Sequence, residues 1–240
     1  MSTAEPLPDP GAVSHEHPDV NGGWLRPAVF GAMDGLVSNF ALIMGVTGGS
    51  TERGPVVVAG LAGLAAGAFS MAAGEYTSVA SQRELAQRQV AVERTEIERN
   101  GPAEEAELAA TFVEKGVDEV TAREVARQVH RDVEHAVAVH AAEEMGIDVT
   151  DLPSPWVAAV SSFLSFTVGA LVPLLPLLVG VTSSLPTVVL SLLALFACGA
   201  VVTRVTSRPW WYGGLRQLLL GGAAAGLTYL IGEAVGAGIG

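Results

Sequence analysis

Five stretches of this chain, residues 27–48, 56–79, 156–180, 185–203 and 215–240, carry only four charged side chains between them: Asp34, Glu75, Glu233 and Arg216. The hydrocarbon core of a bilayer is about 30 Å thick, so a crossing helix needs about 20 mostly apolar residues. Each stretch reaches that length. Most of the remaining charge is packed into residues 83–152, so the chain is written for two environments, lipid and water. Half of its residues are hydrophobic and 16% are charged, which is too little charge for a soluble domain of this length. The predicted fold is an all-α integral membrane protein with five transmembrane helices per subunit and a three-helix cytosolic insert between helices two and three.

Basic residues set the expected orientation. Arg26 precedes the first span, eight Lys or Arg residues lie in 83–152, and Arg204, Arg208 and Arg216 flank spans four and five; the opposite side has only Arg53. The N-terminus and residues 83–152 are therefore assigned to the cytosol, in a multi-pass protein of the cell membrane. Residues 1–23 are acidic, rich in Pro and Gly, and read as a flexible tail rather than a secretory leader. The divisions are then 1–23 tail, 24–82 spans one and two, 83–152 acidic insert, and 153–240 spans three to five. A sequence pI of 4.7 does not point to nucleic acid. The single Cys198 lies in a predicted span and reads as a packing residue.

Span two meets no Gly or Pro between Glu75 and Arg99, so its helix is expected to continue out of the bilayer until Asn100-Gly101-Pro102 stops it. Residues 103–115 read as a second soluble helix. A third is expected to start with a capping box at Thr121 and Glu124 and to run unbroken to Glu144, before Gly146. Pro173 and Pro176 should kink span three. The pairs Gly31/Gly35, Gly63/Gly67 and Gly232/Gly236 have the four-residue spacing that lets helices approach closely in lipid.

Asp34 is seven residues beyond Pro27, about 10 Å into its span at 1.5 Å per residue. An acid at such depth is expensive, roughly 2.5–3.5 kcal/mol on insertion scales, and it persists where it faces a cavity, an ion or a proton path. Met71 lies eight residues before the expected boundary at Val79, about 12 Å deep and level with Asp34. One hard oxygen and one soft thioether at a single height suit a borderline first-row metal. Glu75 shares a helical face with Met71, nearer the cytosol, where it can admit cations or pass protons. Its plainer reading is an ion pair with Arg83.

The insert has 17 acids against 8 bases. Glu93/Glu96 and Glu104/Glu107 are each one turn apart, and His140 is one turn before Glu144. On packed helices these groups can converge into a carboxylate cluster for metal. The plainer reading is a solvated acidic face. His130 and His135, about 140° apart on a continuous helix, read as surface residues, and His15 and His17 as weak ligands in the tail. There is no phosphate loop, metalloprotease motif or nucleophile elbow, so an enzyme is not expected, and no prosthetic group is implied.

With those residues in view, the chain resembles the vacuolar iron transporter family. The resemblance rests on Met33-Asp34-Gly35-Leu36-Val37-Ser38, Ser70-Met71-Ala72-Ala73-Gly74-Glu75-Tyr76, the acidic insert, Gly169-Ala170-Leu171-Val172-Pro173-Leu174-Leu175-Pro176, Arg216-Gln217-Leu218 and Thr228-Tyr229-Leu230-Ile231-Gly232. It implies a homodimer with its path between the two first spans, exporting ferrous iron, with manganese as a further substrate, from the cytosol in exchange for protons. It also implies that Asp34 and Met71 are the membrane ligands, and that Glu93, Glu96, Glu104, Glu107 and Glu144 bind metal in the insert. One departure stands out: where the family pattern has a methionine pair, this chain has His140 and Ala141. The rival reading is a membrane metal sensor or scaffold that binds metal through the insert without transport.

Overall fold

A computed structural model describes residues 23–50, 52–203 and 208–239. The tail with His15 and His17, and Arg204 of the orientation argument, lie outside them. The described residues form seven helices: α1 Leu25–Gly49, α2 Arg53–Glu114, α3 Glu119–Val129, α4 Val133–Met145, α5 Pro155–Leu178, α6 Leu185–Val202 and α7 Trp210–Ile239. Five of them, α1, α2, α5, α6 and α7, are long and apolar enough to cross a membrane. Many of their large side chains face outward, among them Phe30, Leu61, Phe69, Leu164, Leu193 and Leu230. Apolar surface of that extent is stable against lipid, not water.

α1 is the centre of the apolar bundle, packed on α5 and α7 and also touching α2 and α6. Glycine makes this possible. A Cβ on Gly35 would come within 2.3 Å of the Phe166 carbonyl oxygen, and one on Gly232 within 1.8 Å of that of Gly45. Two of the three expected glycine pairs thus serve backbone approach, Gly31/Gly35 against α5 and Gly232/Gly236 against the end of α1, whereas Gly63/Gly67 face side chains. α5 runs through Pro173 and Pro176 as one helix. Pro173 lacks the N–H that would serve the Gly169 carbonyl; one residue on, the buried Asn39 Nδ2 donates to the Ala170 carbonyl at 2.7 Å. At the far end, Arg53 donates through Nε and Nη2 to the Leu177 carbonyl, at 2.9 and 2.6 Å, which caps the last turn of α5. Cys198 packs against a cluster of Leu36, Phe40, Leu195 and Ala225.

α2 is 62 residues long, about 93 Å if straight, but it is not straight. Asn100 leaves helical geometry (φ −129°, ψ 32°), so the Asn100-Gly101-Pro102 signal acts as a bend between two helical segments. The second segment ends at Glu114, and Gly116 follows at φ +94°. The expected single third helix is instead two. α3 is capped by Asp118, whose side chain accepts from the Thr121 N–H at 3.1 Å. The chain then breaks after Val129, and Asp132 caps α4 by accepting from His135 N at 2.8 Å. Both departures from the Thr121 capping box have one cause: a short carboxylate three residues before a free N–H is a strong N-cap wherever it occurs. α4 ends on Gly146 at φ +66°. Ile97 with Ala136 and Val137, and Leu108 and Ala109 with Ala126, hold α3 and α4 against the two halves of α2.

Candidate metal centre

The bend at Asn100 decides the chemistry of the insert. Glu93 and Glu104 are eleven residues apart, a rise of about 16 Å on a straight helix. Yet ligand atoms of Glu93, Glu104 and His140 all lie within 4.8 Å of one another. Folding the helix back at Asn100 brings the two carboxylates together, and α4 lays His140 over them. His140 is fully buried, and Glu93 and Glu104 are 8% and 9% exposed. His140 Nδ1 sits 3.0 Å from Glu93 Oε1 and 2.9 Å from Glu144 Oε1. Neither Nδ1 nor Glu93 Oε1 has a hydrogen-bond partner.

Burial pushes the Glu93 carboxyl up to about 7, helped by the negative charges of Glu144, Glu104, Glu96 and Glu107. Glu104 is also raised, first by burial and then by Glu107 and Glu96. Among the described residues no Lys or Arg pairs with Glu93, Glu104 or Glu144, and buried carboxylates this close are costly unless a cation or proton joins them. Glu96 and Glu107 are exposed and act on the cluster through charge. Glu143 turns away to an ion pair with Lys115, so the adjacent pair Glu143/Glu144 splits between two tasks. Ala141, at the other methionine position of the family pattern, is fully buried and offers no donor.

His130 is not the surface residue that helical spacing suggests. It caps the end of α3, and its ring stands edge-on to that of His140 with centroids 5.1 Å apart. Helical spacing holds only within one continuous helix, and the chain breaks between Val129 and Val133. The signal available in the sequence was Asp132, a cap residue within the presumed helix.

In the apolar bundle, Asp34 of α1 and Met71 of α2 line one groove of about 230 Å³, with Ser38, Asn39, Leu42, Gly63, Gly67, Ser70 and Phe166. Asp34 is half-buried. Ser38 Oγ donates to the Asp34 backbone carbonyl at 2.6 Å, and among the described residues no hydrogen bond reaches the Asp34 carboxylate. Asn39 was not singled out by sequence as a site residue, yet its Oδ1 is buried without a partner while its amide nitrogen is held by Ala170. The groove therefore offers a carboxylate, an amide oxygen and a thioether. Gly63 and Gly67 keep it open: a Cβ on Gly63 would meet Leu42 and Asn39, and one on Gly67 the Phe166 ring. Glu75 lies one turn along α2 from Met71 and outside the groove lining; its Oε2 is buried without a hydrogen-bond partner. No ion pair joins it to Arg83 among the described residues; Arg83 instead reaches the Pro153 carbonyl.

The model of the VIT family matches residues 25–233. A vacuolar iron transporter of Acanthamoeba castellanii is 44% identical over 153 residues, which are 64% of this chain and 55% of that protein. Vacuolar iron transporter 1 of Oryza sativa subsp. japonica is 30% identical over 227 residues, covering 92% of this chain and 90% of the relative. VIT-like transporter 1b of Glycine max is 31% identical over 233 residues, 94% of this chain and 84% of the relative. The chain thus spans just over half the length of the Acanthamoeba protein and most of the two plant proteins.

Proposed function

The chain belongs to the VIT family, and from that premise we propose that it exports ferrous iron or manganese from the cytosol across a membrane in exchange for protons. Its relatives are named as transporters, so the property to explain is flux, not turnover of a substrate. The observation that carries the reading is the shared groove of Asp34 and Met71. A hard oxygen and a soft sulfur on one cavity wall are a reason to keep an acid inside an apolar bundle.

In this mechanism the insert faces the cytosol and collects the ion. Glu93, Glu104, Glu144 and His140 bind it, while Glu96 and Glu107 draw it in by charge. The ion then passes to the membrane groove, where Asp34, Met71 and the free oxygen of Asn39 replace part of its water shell. Protonation of Asp34 or Glu75 from the far side weakens the cation's hold and releases it. Leu42 lines the groove and is 38% exposed, and Phe30 on the same helix is 56% exposed. Such a surface suits a second copy of the chain, which would enclose a path between two α1 helices. The relatives' names point to a vacuolar membrane; the positive-inside pattern fits a cell membrane equally well.

A metal sensor would account for the insert but gives no reason for the groove. Uptake of Fe²⁺ or Mn²⁺ by inverted membrane vesicles tests the proposal. An imposed proton gradient should drive metal accumulation in vesicles carrying this chain. Metal binding without accumulation would establish the sensor instead.

A further inference from the structure

His140 makes a second contact that the ligand set does not use. Its Nε2 lies 3.3 Å from His130 Nε2, and His130 Nδ1 lies 2.9 Å from the Ala126 carbonyl oxygen. With both rings neutral, these two distances assign the hydrogens. A carbonyl oxygen only accepts, so His130 Nδ1 carries a proton and donates it. A neutral His130 then has a bare Nε2. The short contact between the two Nε2 atoms needs one hydrogen, which His140 supplies. A neutral His140 is left with a bare Nδ1, fully buried, without a hydrogen-bond partner, and against Glu93 Oε1 and Glu144 Oε1. A bare Nδ1 this close to two carboxylate oxygens is stable only with a proton or a cation shared among them.

We propose that His130 is a positioning residue: it selects the His140 tautomer whose buried Nδ1 presents its lone pair to a divalent metal held with Glu93, Glu104 and Glu144. This rests on the reading of the insert cluster as a metal site. The relay runs from the α3 backbone through two imidazoles to the ion, so the end of α3 orients a ligand carried by α4. Outer partners of this kind fix ring orientation and raise ligand basicity, and their loss costs 10–100-fold in metal affinity. The relay gives a reason for the imidazole at position 140: a thioether there would have nothing to ask of residue 130.

The test uses the full chain in detergent or nanodiscs, with Mn²⁺ as probe and an Asp34→Asn background so that only the insert is read. His130→Phe keeps a ring of similar shape and removes the acceptor; His130→Gln restores an acceptor. Pulsed electron paramagnetic resonance should detect a directly bound ¹⁴N in the parent and in His130→Gln, with similar affinities. His130→Phe should weaken Mn²⁺ binding about tenfold or more and diminish the ¹⁴N coupling. In the metal-free parent, ¹⁵N NMR should find the His140 proton on Nε2 alone. Unchanged affinity and ¹⁴N coupling in His130→Phe, or a His140 proton resident on Nδ1, would overturn the inference; the NMR result stands even where a variant does not fold. If instead Glu93→Gln leaves Mn²⁺ binding untouched in the same background, the cluster itself is not the metal site and the functional reading fails first.

Discussion

The groove in the apolar bundle and the cluster in the insert use similar atoms in opposite ways. The cluster is tight and buried: two carboxylates and an imidazole converge within 4.8 Å, behind a hydrophobic seam of Ile97, Ala136 and Val137. The groove is roomy, with one carboxylate, one amide oxygen and one sulfur spread around about 230 Å³. Close-set carboxylates bind strongly and release poorly. A single acid with weak neighbours binds loosely and can be emptied by one proton. On the proposed mechanism, capture and passage are separate tasks with separate ligand densities, and release to the far side is assigned to the groove, where charge is scarce.

The largest expected effect breaks the groove alone. Asp34→Asn should reduce metal flux by about 100-fold, on the scale of a lost ion ligand in a medium where charge is costly. Metal binding by the insert, read by calorimetry, should remain. Next comes the cluster. Glu93→Gln with Glu104→Gln should weaken metal capture about 100-fold, two good ligand contacts at roughly 1.4 kcal/mol each, while flux at saturating metal recovers most of its rate. A flux defect that persists at saturating metal would show that the insert gates the path as well as feeding it.

The pH response sharpens the comparison further. Glu93 titrates at about 7 in the metal-free fold, and metal needs its ionised form. Affinity at the insert should therefore be level above about pH 7 and fall below it by up to about tenfold per unit. Stability of the metal-free insert runs the other way. A carboxyl raised above its unfolded value destabilises the fold when ionised, so stability should decline as pH rises from the ordinary glutamate range through about 7, then level off. Thermal melts with and without metal across this range check both signs. The smallest effect is expected at Lys115→Ala. Its pair with Glu143 is exposed and is worth about 1 kcal/mol at most, so metal affinity should change by less than about threefold.

Much of this contrast is readable from residues alone. The apolar helices follow from length and hydropathy, which are local properties. Asp34 and Met71 are placed level by counting residues from each span's boundary, and the structure puts both on one groove. The bend at Asn100 is legible because Asn, Gly and Pro all oppose helix there. The unread parts depend on packing between segments. A helical wheel carried across residues 130–132 puts His130 on the surface, but Asp132 starts a new helix there and resets the phase. Glu143 and Glu144 are neighbours in sequence, yet one meets Lys115 and the other His140. Asn39 shows its free oxygen only once Ala170 is known to hold its nitrogen.

The central claim is exchange of metal for protons through the Asp34 groove, and simultaneous recording of both fluxes in proteoliposomes tests it most directly. With Fe²⁺ or Mn²⁺ on the side of the insert, metal entering the lumen should be matched by protons leaving it, and Asp34→Asn should stop both together. Metal movement that proceeds at the same rate with no proton counterflow, or that survives Asp34→Asn, would contradict the account.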